Sequence, residues 1–444
     1  MSGAAADVGE LGPVELDEAE EADSEEAGAA AGPSSGGLVG RVLGVGPRVA
    51  RDPRVTGVLR AGPRVADFMA RSHRRTAGIG GDDSIVPVNA TLGLAAQAYL
   101  DEVLIAALRH PDLLPKDDDY EPAAADLEDA LALFGSKGWI ERPTTYHADP
   151  PAPDDLVAEH KWIPGFRFEH VAFTSGWEPH PTEPGRDRWL DHEANKTAHA
   201  WVARAPGRDR GSWLVCLHGF GMGQNATIDL RGFRASHLHR MGVNVAVLVL
   251  PLHGPRASGR VRGEDLMTID MVDSLHGMAQ ATWDARRLIR WLREAEGAER
   301  VGVMGQSLGS LVASLVASLE PDLRCVVAGV PVVDLPDLFR RHCPPAIAEK
   351  ARRYGVLGEV TDQVHRVVSP LAMECLVPHD GRYIYAGLGD RMSTFGQARR
   401  LWLHWDRPRL AAYAGGHVGF FLAGSVKTLV DEAVSAAFGA PSTP

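Results

Sequence analysis

The run Val301-Gly302-Val303-Met304-Gly305-Gln306-Ser307-Leu308-Gly309-Ser310 constrains this chain more than any other stretch. An apolar, β-prone segment from Val301 to Met304 enters a turn with glycine on both sides of a serine, and a helix-compatible segment, Leu311 to Leu319, leaves it. The order is strand, serine, helix, as in a G-x-S-x-G elbow. A serine at such an apex sits on strained backbone at a cost of about 1–3 kcal/mol, so its neighbours have to be small. Gly305 and Gly309 meet that need.

Strand and helix patterns alternate on either side of the elbow. Phe166 to Phe173 and His199 to Val202 read as an opening antiparallel pair. Trp213 to Leu217 is a short apolar run ending in His218-Gly219-Phe220-Gly221-Met222-Gly223, followed by a helix candidate through His239 and a strand at Val243 to Leu250. Met271, Leu275, Met278, Thr282, Ala285, Ile289 and Leu292 recur at steps of four and three, which predicts a long helix with Asp284, Arg287 and Arg290 off its apolar stripe. Further runs follow at Cys325 to Val333, Tyr383 to Leu388, Phe395 to Trp405, Arg409 to Tyr413 and Val426 to Phe438. This alternation calls for an α/β fold with a mostly parallel sheet and helices on both faces.

With that context the chain from about Pro151 to Gly439 resembles the α/β-hydrolase superfamily, its serine esterase and lipase-like members in particular. The resemblance implies the chain order Ser, then Asp or Glu, then His. A serine hydroxyl is a poor nucleophile at neutral pH and needs a base within hydrogen-bond reach, itself oriented by a carboxylate. His417, in Ala414-Gly415-Gly416-His417-Val418-Gly419, stands where the family keeps that base, with glycines that let the loop turn back over the sheet. Asp390, after the strand that ends at Leu388, corresponds to the triad acid; Asp334 is the second choice and Asp337 the third. The oxyanion hole implied by the family takes one backbone N–H from Leu308 and one from Phe220, with Gly221 as the alternative donor.

Other residues carry less chemistry. His237 and His239 are two apart and do not share a helix face, and no metal site is expected. Neither a dinucleotide nor a Walker fingerprint occurs, so no cofactor is expected. Arg256, Arg260 and Arg262 follow a strand and offer contact to an anionic substrate group, against the plainer reading of solvated loop arginines. The insertion Leu335 to Asp380 is expected to form a lid whose wall includes Phe339, Val356 and Leu357.

The N-terminal third lies outside the resemblance. Ten of the acidic residues fall in the first 37 positions with no Lys or Arg among them, which predicts a disordered acidic tail over 1–37. Residues 38–150 are expected to form a small helical extension, and 151–444 the hydrolase domain. Nine arginines between Arg41 and Arg75, with Pro-Arg-Val at Pro47, Pro53 and Pro63, make segment 41–75 either a contact for an anionic surface or a solvated stretch of short helices. Leu92, Ala95, Tyr99, Val103 and Ala106 recur at helical spacing, and Ala125 to Phe134 reads as another helix. This region would serve as support, lid or dimer surface.

A net charge of −12, held mostly in that tail, argues against nucleic-acid binding. The four cysteines show no CxxC or metal spacing, so a disulfide framework is not expected. The best membrane-span candidate is interrupted by Asn89, Gln97, Asp101 and Glu102, so no transmembrane segment is expected, and the location expected is cytoplasmic. The expected function is hydrolysis of a small-molecule or lipid-like carboxylic ester. Peptidase, amidase or acyltransferase use of the same triad is the alternative within enzymes, and a non-catalytic ligand-binding member of the fold is the alternative outside them.

Overall fold

The computed structural model describes residues 53–76, 88–107, 114–163, 166–206, 211–258, 266 and 268–439. The expected acidic tail, together with Arg41, Arg48, Arg51, Arg260 and Arg262, lies outside the described residues. Nine strands form one sheet: β1 Val157–Ile163, β2 Phe166–Thr174, β3 Thr197–Ala203, β4 Ser212–Leu217, β5 Asn244–Val249, β6 Arg300–Gln306, β7 Leu323–Gly329, β8 Arg382–Gly387 and β9 Arg409–Tyr413. Their spatial order is β1-β2-β3-β5-β4-β6-β7-β8-β9. β1, β2, β3 and β5 pair antiparallel in succession, and every pairing from β5 through β4 to β9 is parallel. The expected α/β-hydrolase architecture is the one found.

The parallel strands are buried on both faces, and their side chains divide by the two-residue period of a strand. Trp213, Val215 and Leu217 of β4 enter one core while Leu214 and Cys216 enter the other. The first core also takes the long helix Met271–Glu294 and the helix after the elbow, Leu308–Leu319; the second takes the helices around Leu230 and Leu238 and the last helix, Gly424–Phe438. β1 is the exposed edge, and Glu159, His160 and Lys161 discourage further strand addition there. Between β5 and β6 the strand order reverses across β4, which leaves a crevice over the carboxyl ends of β4 and β6. The loop at 218–223 and Ser307 emerge at that point.

Among the described residues three α-helices precede the sheet: α1 Pro53–Thr76, α2 Leu92–Ala107 and α3 Tyr120–Lys137. α1 is a single helix of 24 residues that contains Pro63, longer than the short helices expected. Its packing supplies the reason: Val65 and Phe68 are buried with Leu94 and Ala98 of α2, and a Cβ on Gly57 would lie 2.7 Å from the Ala106 Cβ. Tertiary burial offsets the hydrogen bond lost at the proline. The face of α2 also differs from the one expected. Leu92 is 91% exposed and Tyr99 is exposed, whereas Leu94, Ala98, Asp101, Glu102, Ile105 and Ala106 are buried.

The long helix 271–294 is buried almost all round, so Asp284 and Arg287, although off its apolar stripe, are buried too. Segments at 149–152 and 174–175 cover them: Arg287 donates to the carbonyls of Pro151 and Ser175, and Asp284 accepts from the Ser175 hydroxyl at 2.6 Å. Arg290 stays partly exposed against Asp149. Among the described residues no helix is long and apolar enough to cross a membrane.

Candidate active site

Ser307 follows β6 directly and takes φ 54°, ψ −120°, a conformation that side chains rarely adopt. Its N–H donates to the Gly329 carbonyl at 2.9 Å, and its carbonyl accepts the Ser310 N–H at 2.9 Å, so both flanks of the apex are held. The two glycines are required by space. A Cβ on Gly305 would lie 2.1 Å from the Gly309 carbonyl oxygen, and one on Gly309 would lie 2.0 Å from the Leu217 carbonyl oxygen.

The loops after β8 and β9 bring Asp390 and His417 to this apex. His417 Nε2 lies 3.0 Å from Ser307 Oγ, and Nδ1 lies 2.7 Å from Asp390 Oδ2. The network puts the ring proton on Nδ1, where it donates to the carboxylate, and leaves Nε2 to accept from the serine. Asp390 Oδ1 accepts the N–H groups of Met392 and Ser393 at 2.8 and 3.0 Å. The Ser393 hydroxyl stands 3.0 Å from Asp390 Oδ2 and 2.9 Å from the Val330 carbonyl. Burial alone would raise the Asp390 carboxyl, but His417 and these donors outweigh it and hold the group below its ordinary range. Burial alone would lower His417, but the charge and hydrogen bond of Asp390, with a smaller push from Asp101, carry it above its ordinary 6.5.

The two alternative acids are committed elsewhere. Asp334 caps the helix Leu335–His342, accepting the Asp337 N–H at 2.9 Å, and pairs with Arg400 at 2.8 Å. Asp337 accepts from Gln397 at 2.7 Å. Of the three carboxylates, Asp390 alone is the one hydrogen-bonded to His417 among the described residues.

The loop after β4 faces the elbow. Among the described residues neither the Phe220 nor the Leu308 N–H has a backbone acceptor outside regular elements, and the same is true of Gly221, which has φ +77°. The loop is held from beneath by His218, whose Nδ1–H donates to the Gly219 carbonyl at 2.8 Å while Nε2 accepts the Leu250 N–H at 3.0 Å. Burial lowers this imidazole to about 4, so it stays neutral. Gly223 crosses the ring at a distance that leaves 2.4 Å between a Cβ and His218 Nε2, and its N–H donates to Asp229 at 3.1 Å. The Phe220 ring packs edge-on against His253, 5.6 Å between centroids.

Arg256 corrects the expectation of a solvated loop arginine. It is fully buried, donates to the carbonyls of Val249 and Asn195 at 3.1 and 2.9 Å, and pairs with Asp284 at 2.8 Å. It belongs to the packing of β5 and the long helix, and it is not free to meet a substrate. The expected lid wall also differs: Val356 is fully buried and Leu357 nearly so, in the core that also holds Tyr120 and Leu127 of α3. Phe339 stays half-buried at the edge of that core. The insertion is thus clamped under α3, with Tyr354 stacked on Tyr120 at 5.6 Å.

Three side chains at the site are not among those the sequence points to. Ser393 orients Asp390, and its spacing three after the acid is a turn-like pattern readable in the sequence. Gln97 and Asp101, on α2, reach the His417 loop: Gln97 Oε1 accepts the Gly416 N–H at 3.0 Å, and Asp101 Oδ2 accepts the His417 N–H at 2.8 Å and the Arg391 N–H at 3.0 Å. Their signal in the sequence was only that they interrupt an apolar helix.

No protein-family model matches the chain. Among proteins of known sequence it is 40% identical to Uncharacterized protein MT2702 of Mycobacterium tuberculosis (strain CDC 1551 / Oshkosh), over 81% of this chain and 87% of that one. It is 39% identical, with the same coverage, to Uncharacterized protein Rv2627c of Mycobacterium tuberculosis (strain ATCC 25618 / H37Rv). Among solved structures it resembles an acetyl xylan esterase from Paenibacillus sp. R4 at 15% identity and a TM-score of 0.47, over 67% of this chain and 99% of that one. That likeness is too distant to speak of activity.

Proposed function

For a chain that belongs to the family of these two mycobacterial proteins and carries the α/β-hydrolase fold, we propose a serine hydrolase that cleaves a carboxylic ester through an acyl-enzyme. The observation that carries this reading is the unbroken hydrogen-bonded line from Ser307 through His417 to Asp390. Ser307 Oγ attacks the ester carbonyl carbon as its proton passes to His417 Nε2. Asp390 holds the imidazole in the tautomer that can accept and stabilises the imidazolium that forms. The carbonyl oxygen becomes an oxyanion facing the N–H groups of Phe220 and Leu308, each worth about 2.7–4 kcal/mol to such a transition state. Collapse breaks the ester C–O bond, and the leaving alkoxide takes the proton from Nε2. Water then gives a proton to the same nitrogen as it attacks the acyl carbon, and Ser307 Oγ regains that proton as the acid departs. The chemistry needs no further group. The substrate is read as a small-molecule or lipid-like ester.

The test is labelling of the purified protein with a fluorophosphonate probe, wild type beside Ser307→Ala, followed by turnover of p-nitrophenyl esters, an anilide and a thioester. Labelling confined to wild type, with ester turnover above anilide, is the expected result. A well-folded wild type that neither labels nor turns over any of the three sinks the reading. Preference for the anilide would move the protein to the amidases with the same residues in the same roles.

A further inference from the structure

The glycines of the His417 loop are the starting observation. None of Gly415, Gly416 and Gly419 has positive φ, so the backbone there does not require glycine for its conformation. Close approach of α2 side chains is what glycine accommodates there. A Cβ on Gly415 would lie 2.5 Å from Gln97 Oε1, one on Gly416 would lie 2.8 Å from Asp101 Oδ2, and one on Gly419 would lie 2.2 Å from Gln97 Oε1. Gly389, immediately before Asp390, faces Leu94 of the same helix at 2.4 Å. The loops bearing the base and the acid are thus both cut back where α2 lies against them.

The contacts across this seam are polar and directed. Asp101 is fully buried, and its Oδ2 accepts one N–H from each loop: that of His417 itself and that of Arg391, next to Asp390. The neighbouring Glu102 pairs with the Arg391 guanidinium at 3.1 Å and with Arg64 of α1 at 3.0 Å, and Arg391 also lies over the Phe68 ring at 5.0 Å. A carboxylate taken out of water needs such donors, and a fully buried carboxyl in a helix without a structural ion pair of its own is costly. Asp101 spends its hydrogen-bonding on the two loops of the site and on nothing else among the described residues. Burial, and then the nearby Asp390 charge, push its carboxyl up to about 7.

We propose that α2 is a wall of the reaction centre and that Asp101, with Gln97 beside it, is a positioning residue that fixes the His417 loop against the Asp390 loop. This inference rests on the serine-hydrolase reading given above. The hydrolase sheet supplies Ser307, His417 and Asp390, and the N-terminal helix sets the distance between the last two. Both N–H groups go to one oxygen, so an amide oxygen can replace the carboxylate in this role; an apolar side chain cannot. The hold acts on loop geometry, and its loss is felt in the rate of chemistry more than in binding.

The experiment uses the full chain and three proteins: wild type, Asp101→Asn and Asp101→Leu. Each is read by fluorophosphonate labelling rate, by kcat and KM for p-nitrophenyl butyrate, and by thermal melting. The expected result for Asp101→Leu is a fall of about a hundredfold in kcat and labelling rate with KM changed by less than about threefold. Asp101→Asn is expected to keep kcat within about threefold of wild type, because its amide oxygen accepts both N–H groups. A folded Asp101→Leu with wild-type kcat overturns the inference, and so does an Asp101→Asn as slow as Asp101→Leu. If Asp101→Leu does not fold, Gln97→Met decides: it removes only the Gly416 acceptor, and an unchanged kcat overturns the inference while a fall of about tenfold at constant KM supports it. Wild type inert to both probe and ester overturns the hydrolase reading and this inference with it; an active wild type with indifferent variants overturns this inference alone.

Discussion

Around Ser307 the glycines answer to their own turn and the adjacent strand, since Cβ atoms at Gly305 and Gly309 would strike the carbonyls of Gly309 and Leu217. Around His417 the glycines answer to side chains from α2, Gln97 standing 319 positions before Gly416. In the first turn the obstacle is backbone that no neighbour can move. In the second it is chiefly the ends of side chains, with the Gln97 carbonyl oxygen also 3.0 Å from a Cβ on Gly416. Two glycine-rich loops therefore look alike in sequence while one is a local device and the other a docking seat.

The comparison can be broken first at the elbow. Gly305→Ala should destabilise the fold by more than about 4 kcal/mol, because the atoms in its way are backbone of the elbow itself; denaturant melting of the variant beside wild type reads this directly. Gly416→Ala should lower kcat about tenfold to a hundredfold, as the Asp101 carboxylate is pushed off the loop, and should cost less stability than Gly305→Ala, because its nearest obstacle is a side chain. Combining it with Asp101→Ala should cost much less than the sum of the two single changes, since both remove the same contact. Additive losses would show that the two residues do not act on each other.

A pH profile sharpens the same comparison. In the proposed mechanism His417 takes the serine proton only when neutral, and its raised pKa places the expected ascending limb of kcat/KM above 6.5. Asp390→Asn removes the largest upward push and leaves burial against the smaller push of Asp101, so the limb should move to lower pH as activity falls. The sign follows because a group whose charged form loses its partner gives up its proton at lower pH. A limb that does not move would detach Asp390 from the ring. The smallest effect belongs to the outer face of α2: Leu92→Ser should change stability by less than about 0.5 kcal/mol, whereas Leu94→Ala should cost about 2–5 kcal/mol, both by denaturant melting.

Much of the scaffold was legible beforehand. The strands from 199 onward, the long helix from Met271 and the elbow itself stand close to where their periodicity and glycine spacing put them. The strand, glycine, aspartate arrangement at the end of the strand before the last puts Asp390 ahead of Asp334, and in the structure only the former is hydrogen-bonded to His417. The misreadings share a cause. Arg256 is expected as a substrate contact or a solvated arginine, Asp284 off its helix's apolar stripe, and Asp101 and Glu102 only as interruptions of an apolar run; none of these readings foresees burial, because a charge is expected in water. Each is buried against a partner supplied from another part of the chain, Arg256 by Asp284 and Asp101 by the loops at 391 and 417. The face of α2 differs because its Asp101 and Glu102 are buried with the apolar residues, and Val356 is core where the resemblance places it in a lid wall.

Sequence alone determined the features whose requirements are local: strained backbone at Ser307 demands small flanking residues, and a two-residue or 3.6-residue period writes strands and helices over a few turns. Tertiary structure decided which polar groups are buried and what they hold, among them the carboxylate of Asp101 at the base loop and the guanidinium of Arg256 behind β5. The reason is energetic. A buried charge is stable only where donors or counter-charges converge on it, and that convergence exists only once separate segments of the chain have met.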